Sequence, residues 1–231
     1  MTWQKNVDLS LLTTFQIGGP ADYFYSAKTP DEILQAANEA KGSGWPIFIL
    51  AGGSNVLISD EGFRGAVIKI ENDDLTIVEE NSNFQINCGA GVSLSKLLAE
   101  TLRAGISGLE WAIGIPGTVG GAIVGNSGAY GHSISENIKE AEVLDLLIIE
   151  KRIFSREECQ FQYRESIFKK NNTIVLSAIL NFPKGDKLGS LELIKGYLAQ
   201  RKNKIPPYPS AGSVFKNIEN DKLSSETLQK I

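Results

Sequence analysis

The chain has 231 residues, of which 42% are hydrophobic and 22% charged, a composition that is ordinary for a globular protein. Its net charge of -4 and its scattered basic residues exclude the basic footprint of a protein that binds nucleic acid or an anionic membrane surface. The chain begins without an apolar signal segment and contains no run as long as a membrane span, so we expect a cytoplasmic protein.

Several common kinds of catalytic site are also disfavoured. Cys88 and Cys159 form no CxxC pair and fit a reducing compartment. His132 is the single histidine, so we expect no metal site built on His or Cys ligands, and we interpret His132 as a surface-loop residue. The segment CGAGVSLSKLL (88–98) begins like a dinucleotide-binding fingerprint, but Leu94 stands where the third glycine belongs, which makes a Rossmann fold a weak interpretation.

The first half of the chain predicts two helices among short strands. The first helix begins at Thr29-Pro30-Asp31-Glu32, an N-cap followed by a proline and a capping-box glutamate, and Gly42 suits its C-terminal cap. The second begins near Ser93 and ends at Gly105. Apolar or alternating runs predict strands at 46–50, 66–70, 75–80 and 84–89.

The second half predicts strands at 141–150 and 173–182, with another capping box at 155–158 between them. Because strands and helices alternate irregularly, the pattern favours an α+β fold over a doubly wound sheet. The sequence pattern changes at Pro183. Residues 183–190 are typical of a linker, and residues 191–204 are typical of an amphipathic helix. We therefore place a domain boundary near Lys184.

Two uncharged glycine-rich loops carry the first chemical signal. AGGSN (51–55) follows a predicted strand, and its backbone N–H groups can turn toward one point to form an anion-binding nest. IPGTVGGA (115–122) offers a second set, with a hydroxyl on Thr118 and the positive end of a helix that starts there. Two such nests in a small domain indicate a pyrophosphate, and hence a dinucleotide. The alternative is a pair of tight packing turns.

Six motifs occur in an order that resembles the UDP-N-acetylenolpyruvoylglucosamine reductase family. They are TTFQIGGPADY, LAGGSNVLISDEGFRGAVIKI, GLEWAIGIPGTVGGA, NSGAYG, FQYRESIF and YPSAGSVFKN. The resemblance implies an FAD-binding domain of the vanillyl-alcohol-oxidase type over 1–183, with subdomains of about 1–72 and 73–183. Residues 184–231 would begin a substrate-binding domain that is incomplete.

The resemblance also implies a reaction and its residues. In this family FAD accepts a hydride from NADPH and passes it to the enolpyruvyl ether of a UDP-sugar in peptidoglycan synthesis. Arg164 would stabilise the enolate, Ser213 would protonate it, and Tyr130, Tyr163 and Asn217 would lie near the substrate. Residues expected to hold FAD are Ala51, Gly52, Gly53, Ser54, Asn55, Gly114, Ile115, Pro116, Gly117, Thr118, Gly120, Gly121 and Ala122. The expected partners are small molecules, without nucleic acid or membrane, and we expect a monomer.

The chain departs from the family pattern at its end. Family members continue for several dozen residues past KLSSETLQKI and supply a glutamate that works with the arginine and serine. We therefore expect a fragment or a shortened protein that turns over poorly. Two alternatives remain at this point: a flavin- or nucleotide-binding protein without turnover, and another flavin oxidoreductase of the same fold.

Overall fold

Two β-sheets with helices packed against them form an α+β fold, as the sequence predicted. The computed structural model describes residues 1–81, 83–202 and 208–216. The first sheet and its helix comprise β1 (Gln4–Asp8), β2 (Pro20–Ala27), α1 (Pro30–Gly42), β3 (Ile47–Leu50) and β4 (Phe63–Ile70). The strand order is β1-β2-β4-β3, in which β1 runs antiparallel to β2 and the other pairs are parallel.

The second sheet is antiparallel and takes up most of the remaining chain. Its elements, with the helices between them, are β5 (Leu75–Glu80), β6 (Asn83–Gly89), α2 (Leu94–Arg103), α3 (Val119–Gly125), β7 (Gly128–Ala129), β8 (His132–Ser133), β9 (Ile138–Asp145), β10 (Glu150–Ser155), β11 (Thr173–Pro183) and α4 (Lys187–Lys202). The five-stranded order is β10-β9-β11-β6-β5, and β7 pairs with β8 in a separate ribbon. Short 3-10 helices lie at Ser10–Leu12, Glu110–Ala112, Ile134–Glu136 and Ile167–Lys169.

Local capping signals locate the first two helices correctly. Thr29 accepts a hydrogen bond from the Glu32 N–H at 3.2 Å at the start of α1, and Ser93 accepts one from the Lys96 N–H at 3.1 Å at the start of α2. The end of α1 was predicted less well, because the helix includes Gly42 and the chain turns only after it, at Ser43.

The predicted capping box at 155–158 forms its hydrogen bonds but starts no helix. The Glu158 carboxylate accepts from the Ser155 N–H at 2.8 Å, and the Ser155 hydroxyl accepts from the Glu158 N–H at 3.3 Å. Gln160 follows at φ +48°, a left-handed conformation that cannot continue a right-handed helix. The predicted capping box is therefore present, but it closes a turn and not the first turn of a helix.

Asn72 joins the first sheet to the second. It is 1% exposed, and its amide donates to the Leu176 carbonyl of β11 at 2.7 Å while its Oδ1 accepts from the Gly91 N–H at 3.2 Å. Both side-chain ends are therefore satisfied inside the protein, as a buried amide requires. The predicted subdomain boundary at residue 72 lies in this interval between the sheets, and the domain assignment itself stays a prediction.

Helix α4 packs against the part of the chain that comes before it. It begins at Lys187, inside the segment predicted as a linker, so that prediction was wrong at its C-terminal end. Ile194 is 7% exposed within the main core cluster, and the Ser190 hydroxyl donates to Glu110 at 2.5 Å. The same helix also carries two exposed leucines, Leu188 and Leu198. The domain boundary near Lys184 remains a prediction.

The residues singled out for other chemistry have ordinary surroundings. Cys88 and Cys159 are both free and buried, and burial raises the pKa of each thiol to about 12. His132 is exposed in β8, with Nδ1 3.0 Å from a carboxylate oxygen of Glu136.

In the part of the chain that the structure describes, no three His, Cys, Asp or Glu side chains cluster as metal ligands would. Across those same residues, no helix combines the length and apolarity needed to cross a membrane.

Candidate functional site

The two glycine-rich loops meet directly. A Cβ atom on Gly52 would lie 2.8 Å from the Cα of Gly117, so the contact requires glycine at position 52. Beside it, the Ser54 hydroxyl donates to the Pro116 carbonyl at 3.1 Å. Tertiary structure therefore joins segments that are about sixty residues apart into one surface, as the sequence argument for a shared ligand required.

The first loop presents an unused set of donors. Among the described residues, no group accepts a hydrogen bond from the four consecutive backbone N–H groups from Gly52 to Asn55. Gly53 adopts φ +61°, and its carbonyl accepts from the Thr14 N–H at 3.0 Å, which fixes the loop from the other side. Consecutive N–H groups around a left-handed residue form the concavity that binds phosphate oxygens. The loop therefore fits a pyrophosphate.

The second loop presents fewer free donors than its glycines indicated. Helix α3 begins after Thr118, as expected, but its first N–H groups already have partners. Those of Val119 and Gly120 donate to carbonyls in the 90–92 segment at 2.8 and 2.9 Å, and that of Gly121 donates to Thr118 Oγ1 at 3.4 Å. Among the described residues these three N–H groups are therefore not free to bind an anion, whereas those of Gly117 and Thr118, just before them, have no acceptor. The anion-binding role of this helix end stays a prediction. Gly120 permits close packing.

The thirteen residues predicted to hold FAD differ in exposure. Gly52, Asn55, Gly114, Pro116 and Gly121 are exposed, Ala51, Ser54, Ile115 and Gly117 are half-buried, and Gly53, Thr118, Gly120 and Ala122 are buried. The exposed and half-buried members offer the most surface to a bound molecule, and a buried member such as Gly53 could contribute through its backbone N–H. Their assignment to FAD stays a prediction.

Arg164 lies in a tight turn beside the second loop. Gln162 and Glu165 exchange backbone hydrogen bonds at 3.0 and 3.1 Å, and Arg164 occupies the turn at φ +56°. Its guanidinium donates to the carbonyls of Asn126 at 3.4 Å and Gly128 at 2.6 Å. The side chain is half-buried, so a fixed cation faces the region after α3.

Two predicted substrate residues, Tyr130 and Tyr163, lie near this cation and near α4. The Arg164 guanidinium is 5.2 Å from the centroid of the Tyr163 ring, which is 46% exposed. Tyr130 stacks on Tyr197 of α4 at 4.2 Å between centroids and donates to the Tyr197 carbonyl at 3.1 Å. The tyrosines therefore border the Arg164 turn on one side and α4 on the other.

The segment 208–216 is anchored at two points, Thr14 and Glu165. Ser210 exchanges two hydrogen bonds with Thr14: its N–H donates to the Thr14 carbonyl at 3.0 Å, and its carbonyl accepts from the Thr14 hydroxyl at 2.7 Å. At the other end, Lys216 forms an ion pair with Glu165, next to Arg164. Ser213 is exposed between these anchors and, within the described ranges, makes no hydrogen bond to Arg164. Asn217 lies outside the described residues.

The Lys216–Glu165 ion pair gives a pH-dependent prediction. The Lys216 ammonium holds the pKa of Glu165 below its usual value. Since folding lowers this pKa, the stabilisation is present above the unfolded value and is lost as the pH falls through the folded one. We expect Lys216→Met to raise the pKa of Glu165 toward the ordinary value of a glutamate, as followed by carboxylate NMR. The control is Lys151→Met, which removes an ion pair with Asp31 and should leave the pKa of Glu165 unchanged. If the pKa of Glu165 is also unchanged in Lys216→Met, the pairing is contradicted.

Sequence reasoning missed Arg201. This residue of α4 has its guanidinium carbon 5.6 Å from the centroid of Tyr130, and its Cδ lies 3.3 Å from where a Cβ of Gly114 would be. Its Nε is buried and has no hydrogen-bond partner among the described residues. A helical Arg in a lysine-rich segment gives no sequence signal for this, because only the packing of α4 brings it to the loops.

A groove of about 380 Å³ opens elsewhere, between the Glu110–Ala112 turn and the start of α4. Its lining includes Trp111, His132 and Tyr197, and none of the predicted site residues. Tyr197 is therefore the link between this groove and the Tyr130 stack. The glycine-loop surface, rather than this groove, collects the residues that the motifs indicated.

Comparison with known proteins shows which family this chain is similar to. A family model described as an FAD binding domain matches residues 21–146. UDP-N-acetylenolpyruvoylglucosamine reductase from Solibacter usitatus is 42% identical over 213 residues, which cover 91% of this chain and 66% of that protein. The reductase from Clostridium botulinum (strain Eklund 17B / Type B) is 38% identical over 94% of this chain and 70% of its own. The chain thus spans about two thirds of the length of these relatives.

Solved structures show the same likeness. The chain resembles the crystal structure of UDP-N-acetylenolpyruvylglucosamine reductase from Thermus caldophilus with a TM-score of 0.78 and 29% identity, over 98% of this chain and 79% of that one. Cholesterol oxidase from Brevibacterium sterolicum matches with a TM-score of 0.61 at 14% identity, over 79% of this chain and 38% of that one. The second likeness shows a shared fold alone.

Proposed function

The chain belongs to the UDP-N-acetylenolpyruvoylglucosamine reductase family, and we propose that it uses FAD and NADPH to reduce UDP-N-acetylglucosamine enolpyruvate to UDP-N-acetylmuramate. The observation that carries this proposal is the contact between the two glycine-rich loops, with the Arg164 turn and the 208–216 segment anchored to the same region.

The loop residues suit FAD by their chemistry. The free N–H groups from Gly52 to Asn55 would hold its pyrophosphate without a lysine, and the Gly117 backbone would lie beside it. FAD, when bound, supplies the hydride carrier between NADPH and the enol ether. The protein's contribution is then to bind, orient and stabilise charge.

The substrate chemistry defines what Arg164 and Ser213 would do. Addition of hydride to C3 of the enolpyruvyl group leaves a pair of electrons at C2 that delocalises into the carboxylate. Arg164 would stabilise that charge, and removal of one such group commonly costs about 10²–10³ in rate. Ser213 would then deliver a proton to C2, which completes the saturated ether.

Arg201 is a candidate for the anionic part of the substrate. Its buried Nε lacks a partner among the described residues, and its guanidinium faces Tyr130. A buried cationic donor without an acceptor is costly unless a ligand supplies one. We therefore place Arg201 with Tyr130 and Tyr163 in the proposed substrate site.

An absorption spectrum of the purified chain tests the function. We expect a flavin band that bleaches with anaerobic NADPH and returns when UDP-N-acetylglucosamine enolpyruvate is added. A band that bleaches and never returns would reduce the proposal to flavin binding without turnover. Absence of a flavin band after FAD is added would overturn the proposal.

A further inference from the structure

Asn126 lies where helix α3 ends, between the second glycine loop and the Arg164 turn. It is 7% exposed and forms the C-cap of α3 at φ +42°, a left-handed conformation that asparagine tolerates better than most residues. The next residues lead into β7 and then Tyr130. Its backbone and its side chain both reach the turn that carries Arg164.

Two hydrogen bonds connect Asn126 to that turn. Its side-chain amide donates to the Gln162 carbonyl at 2.8 Å, and this carbonyl also accepts the Glu165 N–H at 3.1 Å that closes the turn. Its own carbonyl accepts from Arg164 Nη1 at 3.4 Å. One residue therefore holds both the backbone of the turn and the guanidinium that the turn presents.

The conformation of Arg164 explains why such a support is needed. At φ +56° it occupies a region that residues other than glycine, asparagine and aspartate rarely adopt, and such a residue persists only where its surroundings fix it. Gly128 contributes a second carbonyl to the guanidinium at 2.6 Å. The Oδ1 of Asn126 is buried without a partner among the described residues, so the amide is held through its donor end.

We propose that Asn126 is a positioning residue for Arg164. Its amide fixes the strained turn, and its carbonyl orients the guanidinium toward the substrate. This inference rests on the proposed function, in which Arg164 stabilises the enolate. A cation that is already fixed at the place where charge develops needs no reorganisation during the reaction.

Asn126→Gly tests this, because glycine keeps the left-handed backbone and the carbonyl while it removes only the amide. We expect the return of the flavin band with the enol ether to slow by about 10- to 100-fold, less than the 10²–10³ expected for loss of Arg164 itself. Bleaching by NADPH should change less than about twofold. The matched control is Asn81→Gly, an exposed turn residue at φ +48°, which should change neither step.

A second readout is independent of the reaction. In the unmodified chain, NMR should show separate signals for the N–H groups of the Arg164 guanidinium, because rotation of the group is slow. In Asn126→Gly the group should rotate faster, and these signals should average. Asn126→Ala, which removes the donor and adds no charge beside Arg164, should behave in the same way if the glycine variant does not fold. Unchanged guanidinium signals and an unchanged enol ether step would overturn the proposal. Failure of the unmodified chain to react would instead contradict the proposed function, and the NMR comparison would still decide the role of Asn126.

Discussion

Replacing Gly53 with alanine is expected to weaken FAD binding by about 100-fold, which corresponds to roughly 2.7 kcal/mol. At φ +61°, a Cβ atom at this position would lie 2.1 Å from the Leu12 carbonyl oxygen. The loop must therefore shift, and the N–H groups from Gly52 to Asn55 would no longer point to one place. Losing one or two hydrogen bonds to a charged group, each worth about 1.5–3 kcal/mol, accounts for the size of the effect.

The matched control for Gly53→Ala is Gly44→Ala. Gly44 has a similar φ of +71°, but no atom lies within 4 Å of the position that a Cβ would take. It should lose about 1–2 kcal/mol of unfolding free energy from the left-handed conformation alone and keep FAD. Denaturant unfolding separates the effects on stability, and flavin fluorescence titration measures affinity.

Ser54→Ala gives an independent check should Gly53→Ala fail to fold. It adds no atom and removes the hydrogen bond from the Ser54 hydroxyl to the Pro116 carbonyl, which joins the two loops. We expect it to weaken FAD binding several-fold. If both Gly53→Ala and Ser54→Ala bind FAD like the unmodified chain, the first loop is not the pyrophosphate site.

Replacing Arg164 with alanine should slow the reaction with the enol ether by about 10²–10³, because the cation that offsets the enolate charge is removed. Reduction by NADPH should change by less than a few-fold, since Arg164 is assigned to the second substrate. The two steps are measured separately by anaerobic stopped-flow absorption, first with NADPH and then with the enol ether. Affinity for the enol ether, from the spectral shift of the oxidised flavin, should also fall.

Arg152→Ala is the control for Arg164→Ala. Arg152 also lies over an aromatic ring, with its guanidinium carbon 5.3 Å from the centroid of Phe154, and pairs with Asp145 at 3.4 Å on the outer strand of the second sheet. It should leave both steps unchanged. Equal slowing of both steps in Arg164→Ala, or equal effects in the two arginine variants, would show that the loss is structural.

Sequence by itself determined the fold class, the starts of α1 and α2, and the family. These follow from short-range rules: Thr29 and Ser93 cap helices through N–H groups three residues away, and such contacts form wherever the local sequence allows them. Motif order also predicted roles for Arg164 and the 51–55 loop. Neither depends on knowing which distant segment lies beside them.

Only the tertiary structure decided which distant residues these segments contact. The 155–158 capping box bonds correctly and yet starts no helix, since Gln160 turns left-handed after it. The N–H groups of Val119 and Gly120 at the start of helix α3 donate to the 90–92 segment, a contact that the glycine pattern did not indicate. Arg201 and Asn126 reach the site only through the packing of α4 and the Arg164 turn. Such contacts join residues tens of positions apart, and a pattern that acts over three or four residues cannot specify them.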